Sequence, residues 1–134
     1  DRQAEALAEL RRRAGATGRL VTVAGRFEDV EWPTCDLVNA SFALPLCPPE
    51  RFAGLWARIR ASLNPGGRFA GQLYGPGDSW AASPGITIHT RAGVDALLAG
   101  WSVERLDEEH ADAMTPRGRP KHWHIWHMVA RRPG

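Results

Sequence analysis

The chain has 134 residues with a formal net charge of +2, enough length for one domain with a buried core. Apolar residues make up 43% and charged residues 24%, an ordinary globular composition that excludes a collagen-like or disordered chain. No apolar run reaches membrane-spanning length and no signal-peptide pattern opens the chain, so a cytoplasmic location without a membrane partner is expected.

The basic residues cluster as Arg11-Arg12-Arg13 and Arg131-Arg132 rather than along one face. This argues for a solvated surface and against a nucleic-acid partner. Cys35 and Cys47 have neither CxxC nor ligand spacing, and both are expected as reduced thiols.

In chain order, Arg2 to Ala14 predicts a helix with Asp1 at its N-cap and Gly15 as its stop. Leu20 to Ala24 is a β-branched run expected as a strand, followed by a polar loop. Asp36 to Phe42 predicts a second strand, apolar enough to lie in a sheet covered on both faces. Pro49 suits the first turn of a helix, and Phe52, Leu55, Trp56, Ile59 and Leu63 then recur on one face. Asn64-Pro65-Gly66-Gly67 ends that helix, because proline cannot continue it and glycine permits a tight reversal. Arg68 to Tyr74 predicts a strand, followed by the turn-rich loop GPGDSWAASPG and a short extended piece from Ile86 to His89. Thr90 is placed to cap a small helix closed by Gly100. Two last strands, Trp101 to Leu106 and Lys121 to Ala130, are expected around a polar loop. No internal repeat or domain boundary interrupts this order, and residues 1–134 are expected to form a single unit. Alternation of strand and helix predicts an α/β open sheet, with ligands outside the carboxyl ends of the strands.

The run FEDVEWPTCDLVNASFALPLCPPERFAGLWARIRASLNPGGRFAGQLYG, Phe27 to Gly75, with KHWH from Lys121 to His124, resembles the Rossmann-like class I S-adenosylmethionine-dependent methyltransferases. It is similar to their small-molecule, tellurite-resistance-like branch. The resemblance implies S-adenosyl-L-methionine as cofactor and a small-molecule methyl acceptor as partner. A non-catalytic α/β remnant or interaction module is the alternative. Such enzymes open with a strand and a glycine-rich turn, and no GxGxG-like turn precedes the first helix here. The 134 residues would then be the C-terminal two-thirds of a methyltransferase domain with an antiparallel terminal strand. Its first strands and glycine turn would be absent, leaving a depleted cofactor pocket and an open sheet edge.

Carried over residue by residue, the resemblance implies that Asp1 accepts hydrogen bonds from the ribose hydroxyls; capping the helix is the competing role. Arg26 and Phe27 follow the third-strand position, where the family packs adenine. Arg26 departs from the acidic residue common there, and Phe27 equally suits a loop anchor. Asn39, Ala40 and Ser41 occupy the end of the fourth strand, where Asn39 and Ser41 share one face. They would line the methionine portion of the cofactor or be satisfied by backbone. Phe42, Leu44, Tyr74, Trp80, His122 and His124 are expected on the acceptor side, with Asp78 in the same loop as Trp80. His122 and His124 share one strand face, opposite Lys121, Trp123 and His127. A zinc site needs a third ligand of suitable spacing, and none is evident in the sequence, so no metal is expected. His89, His122 or His124 would be the candidate general base for a hard nucleophile, whereas a soft one needs none. No catalytic residue is assigned, and no oligomeric state follows.

Overall fold

The computed structural model describes residues 1–15 and 18–134 and divides into two compact units, Asp1–Trp32 and Pro33–Gly134. In the first unit, α1 spans Ala4–Ala14 and buries Leu7. It starts later than predicted, with Gln3 rather than Asp1 at the N-cap. The reason is that the Asp1 backbone is already engaged: its ammonium donates to the Val23 carbonyl at 3.0 Å and its carbonyl accepts from Gly25 N–H at 3.0 Å. The Asp1 carboxylate instead accepts the Gln3 N–H at 2.8 Å. Leu20 to Ala24 does not form the predicted strand. Val21 is 84% exposed, and among the described residues of this unit no ladder partner turns the extended run into sheet. β-branching favours extension, but hydrogen-bonded neighbours make a strand.

In the second unit, β1 (Cys35–Ala40) leads through a 3-10 turn (Leu44–Leu46) into α2 (Pro49–Ser62) and β2 (Leu63–Tyr74). Then come α3 (Arg91–Leu97), β3 (Ser102–Met114) and β4 (Pro120–Arg131). The sheet order is β1-β2-β4-β3. β1 runs parallel to β2, and β4 lies antiparallel between β2 and β3. The expected open α/β sheet with an antiparallel terminal strand is therefore present.

Helix α2 forms where the apolar spacing and Pro49 place it, and it buries Phe52, Leu55, Trp56 and Ile59. Burying a side chain of this size contributes roughly 1.5–3 kcal/mol. The edge of Trp56 meets Phe69 of β2 at 5.0 Å between ring centres, and its indole N–H donates to the Leu97 carbonyl. Thr90 caps α3 as expected, accepting Gly93 N–H at 3.1 Å.

Several features differ from the sequence expectation, and β1 stops at Ala40 rather than Phe42. β2 begins at Leu63, earlier than predicted, because Asn64-Pro65-Gly66-Gly67 forms an irregularity in the β1–β2 pairing rather than a free turn. Gly66, at φ 79°, donates its N–H to the Arg132 carbonyl at 2.9 Å, and Gly67 accepts from Arg132. β1 is an edge strand with Leu37 58% exposed, and is not covered on both faces within this unit. β3 continues past Leu106 to Met114, since its charged residues stand exposed on an edge and pair with β4. No helix among the described residues is long and apolar enough to cross a membrane.

Candidate functional site

At the carboxyl end of β1 and β2 the chain builds an aromatic cavity of about 680 Å³. Phe42, Tyr74, Trp80 and Trp123 are in its lining, with Ala113 and Met114 of β3. Phe42 has φ 50°, a left-handed conformation uncommon for a bulky residue. It is held by its N–H, which donates to Gln72 Oε1 at 2.9 Å, and by edge contacts of its ring with Trp123 and His127 at 6.2 and 6.4 Å. Asn39 and Ser41 lie just before it and are exposed. Glu109 is the carboxylate in this lining, and it faces His127 Nε2 at 2.9 Å.

Beneath these aromatics lies a charge that sequence reasoning missed. Lys121 Nζ sits 3.7 Å from the Trp123 ring centre, 4.4 Å from Trp80 and 4.6 Å from Tyr74. It donates to both carboxylate oxygens of Asp78 at 2.6 and 2.7 Å. An ammonium desolvated by this much requires an anion and π-faces to replace water. Burial, and then the nearby Asp78 carboxylate, push the Tyr74 phenol up to about 12. The register explains the convergence. Lys121 and Trp123 alternate along β4 on one face, and Tyr74 is the last residue of β2, opposite Ile125.

The loop after Tyr74 then follows the β4 edge. Gly75 N–H donates to the His124 carbonyl at 2.8 Å and Ser79 N–H to the His122 carbonyl at 2.9 Å. Gly75 is obligatory there, because a Cβ would stand 2.3 Å from His124 Cε1. Gly77 N–H donates to His124 Nδ1 at 2.9 Å, and His124 Nε2 faces Glu108 Oε1 at 2.8 Å.

The structure thus gathers Phe42, Tyr74 and Trp80 around one cavity, with Asn39, Ala40 and Ser41 leading into it. Leu44 is buried in the 3-10 turn and is absent from the lining. His122 and His124 stand on the opposite face of β4, where β3 brings Glu108 and His110 against them. The period-two series Glu108-x-His110-x-Asp112 and His122-x-His124 was visible in the sequence, but β3 was expected to end at Leu106. His89 is packed against Phe52 at 4.6 Å between ring centres, and burial lowers its affinity for a proton. In the first unit Arg26 Nε bonds Glu28 Oε1 at 2.5 Å and Glu28 is buried, so Arg26 is committed to an ion pair. Phe27 follows it in the same loop.

No family model matches the sequence, and no curated protein matches it. Solved structures do match the fold. Haemophilus influenzae TehB superposes with a TM-score of 0.80 at 11% identity, over 98% of this chain and 48% of that one. A Mesorhizobium loti S-adenosylmethionine-dependent methyltransferase matches with a TM-score of 0.69 at 20% identity, over 98% of this chain and 78% of that one. The Burkholderia thailandensis 1,6-didemethyltoxoflavin-N1-methyltransferase, solved with 1,6-didemethyltoxoflavin and S-adenosylhomocysteine, matches at 0.66 and 22% identity, over 96% of this chain and 56% of that one. The chain spans just under half the length of TehB. Its fold, along nearly its whole length, is that of the S-adenosylmethionine-dependent methyltransferases.

Proposed function

We propose that this chain is the C-terminal part of a tellurite-resistance-like, S-adenosylmethionine-dependent methyltransferase acting on a small, flat acceptor. The observation that carries this reading is the aromatic cavity at the carboxyl ends of two parallel strands, where open α/β sheets bind ligands. The cofactor, when bound, supplies an electrophilic methyl group on a sulfonium. Asn39 and Ser41 fit its methionine portion, being exposed polar side chains at the end of β1. Arg26 does not fit the adenine amine, because it is a cation paired with Glu28. Phe42, Tyr74, Trp80 and Trp123 would stack on a planar acceptor and keep water away, and displacement in line needs that order. Glu109 is placed to take a proton from an acceptor N–H or O–H, held in position by His127.

The absence of a glycine-rich turn from these 134 residues supports reading them as incomplete. The extended run at Leu20 to Ala24, which joins no strand ladder among the described residues, and the exposed Leu37 on edge strand β1 point the same way. Calorimetric titration with S-adenosylhomocysteine should give little or no heat with the 134-residue chain and clear binding once it is completed N-terminally with a glycine-rich strand–turn unit. Asn39→Ala and Ser41→Ala should weaken the completed form. Tight binding by the short chain alone overturns the incompleteness. Failure of the completed form to bind removes the methyltransferase reading and favours an interaction module.

A further inference from the structure

On the β3–β4 face away from the aromatic cavity, four side chains form a run with polar atoms at hydrogen-bonding distances. Asp112 Oδ1 lies 2.8 Å from His122 Nδ1, and His122 Nε2 lies 3.1 Å from His110 Nδ1. His110 Nε2 then lies 3.3 Å from Glu108 Oε1. A carboxylate can only accept, and a neutral imidazole carries one proton on one of its two nitrogens. Hydrogen bonds to Asp112 and Glu108 place the protons on His122 Nδ1 and His110 Nε2. The inner nitrogens, His122 Nε2 and His110 Nδ1, then face each other with two lone pairs and nothing between them. Moving the His110 proton inward only transfers the mismatch to Glu108. With both imidazoles neutral, the run is one cation short.

We propose that His110 Nδ1 and His122 Nε2 form a two-histidine clamp for a first-row divalent transition ion such as Zn²⁺ or Cu²⁺. Two ligands 3.1 Å apart, each at about 2.0–2.1 Å from the ion, subtend about 100° there, near the tetrahedral angle that zinc prefers. Each ligating ring donates its outer N–H to a carboxylate, the arrangement that fixes tautomer and orientation in histidine metal sites. The ion's other positions are left to water or an added ligand. Asp112 and His122 also line a cavity of about 460 Å³, which gives such a ligand room.

Glu108, His110 and His124 present a second grouping, with ligand atoms within 4.8 Å of one another. His124 is unsuited to it, because its Nδ1 accepts the Gly77 N–H. The proton therefore sits on Nε2, where it is donated to Glu108. Ligation through Nε2 would set an Nδ1–H against that amide N–H.

The chain without an affinity tag is titrated with Zn²⁺ by calorimetry and with Cu²⁺ by electron paramagnetic resonance. We expect one ion per chain, hyperfine coupling to imidazole nitrogen, and a Zn²⁺-dependent rise in unfolding temperature as the ion joins β3 to β4. His110→Ala and His122→Ala, at an exposed and a half-buried strand position and checked for folding by circular dichroism, should each abolish the single-site isotherm. Asp112→Asn should weaken it roughly 10-fold, as loss of an outer-shell carboxylate does. A wild-type chain that binds no ion overturns the clamp, as does binding that survives both alanine variants.

Discussion

Lys121 and Asp78 share both carboxylate oxygens, at 2.6 and 2.7 Å, with side chains 1% and 0% exposed. They tie the loop after β2 to the start of β4 and place three aromatic rings around one ammonium. Removing one partner leaves the other charge buried and unmatched, so Lys121→Met and Asp78→Asn should each cost about 3–5 kcal/mol. The Lys121→Met/Asp78→Asn double variant should lose far less than the sum of the two single losses, because no lone charge remains. Urea midpoints of the four proteins measure this, and additive losses would show that the pair is not coupled.

Tyr74 is the chain's one tyrosine, so its ionisation can be followed alone in the ultraviolet. Burial and the Asp78 charge should place the midpoint at about 12 in the folded protein, against 10.0 for a free phenol. The unfolded chain releases this proton first. The corresponding stability is therefore present below pH 10.0 and lost as pH rises toward about 12. A folded-state midpoint at the free-phenol value would contradict the burial.

Gly75 and Gly54 should respond oppositely to alanine. At Gly75 the new Cβ meets the His124 ring at 2.3 Å, so Gly75→Ala should destabilise by several kcal/mol, within the range of core overpacking or loop loss. In a His124→Ala background the same substitution should cost much less. Gly54 sits in α2 with nothing within 4 Å of a Cβ, and Gly54→Ala should stabilise by about 0.8–1 kcal/mol through helix propensity. Chemical denaturation of the four variants tests both signs.

His89 carries a buried Nδ1 with no hydrogen-bond partner among the described residues, and burial lowers its proton affinity below the usual 6.5. Here the unfolded chain takes up the proton first, so stability falls as pH drops through 6.5 and levels off below the folded-state value. His89→Gln should flatten that part of the acid limb, measured as the change in urea midpoint between pH 7 and pH 5. An unchanged slope would show that His89 is solvated.

Much of the scaffold follows from local rules readable along the chain. Helix α2 needs only Pro49, its apolar spacing and the breaker after it, all local. The Thr90 cap likewise follows from neighbouring residues. Asn39 and Ser41 mark the approach to the strand's end, although β1 stops at Ala40, two residues short of the predicted Phe42. The prolines after it hold Leu44, Pro45 and Cys47 buried in a short turn.

Long-range pairing was not readable, and the chemistry sits there. Leu20 to Ala24 has the composition of a strand, yet composition supplies no ladder. The run Asp107 to Asp112 has the composition of a loop, yet the β4 register makes it sheet. In the sequence Lys121 was placed only by strand period, on the face opposite His122 and His124. Only the loop carrying Asp78 and Trp80, folded back over β4, decides that Lys121 is buried while His122 meets His110. By itself the sequence determined which segments are helical and which side chains can carry charge. Tertiary structure decided which of those side chains face one another, because a strand's neighbours are set by register across the sheet and not by distance along the chain.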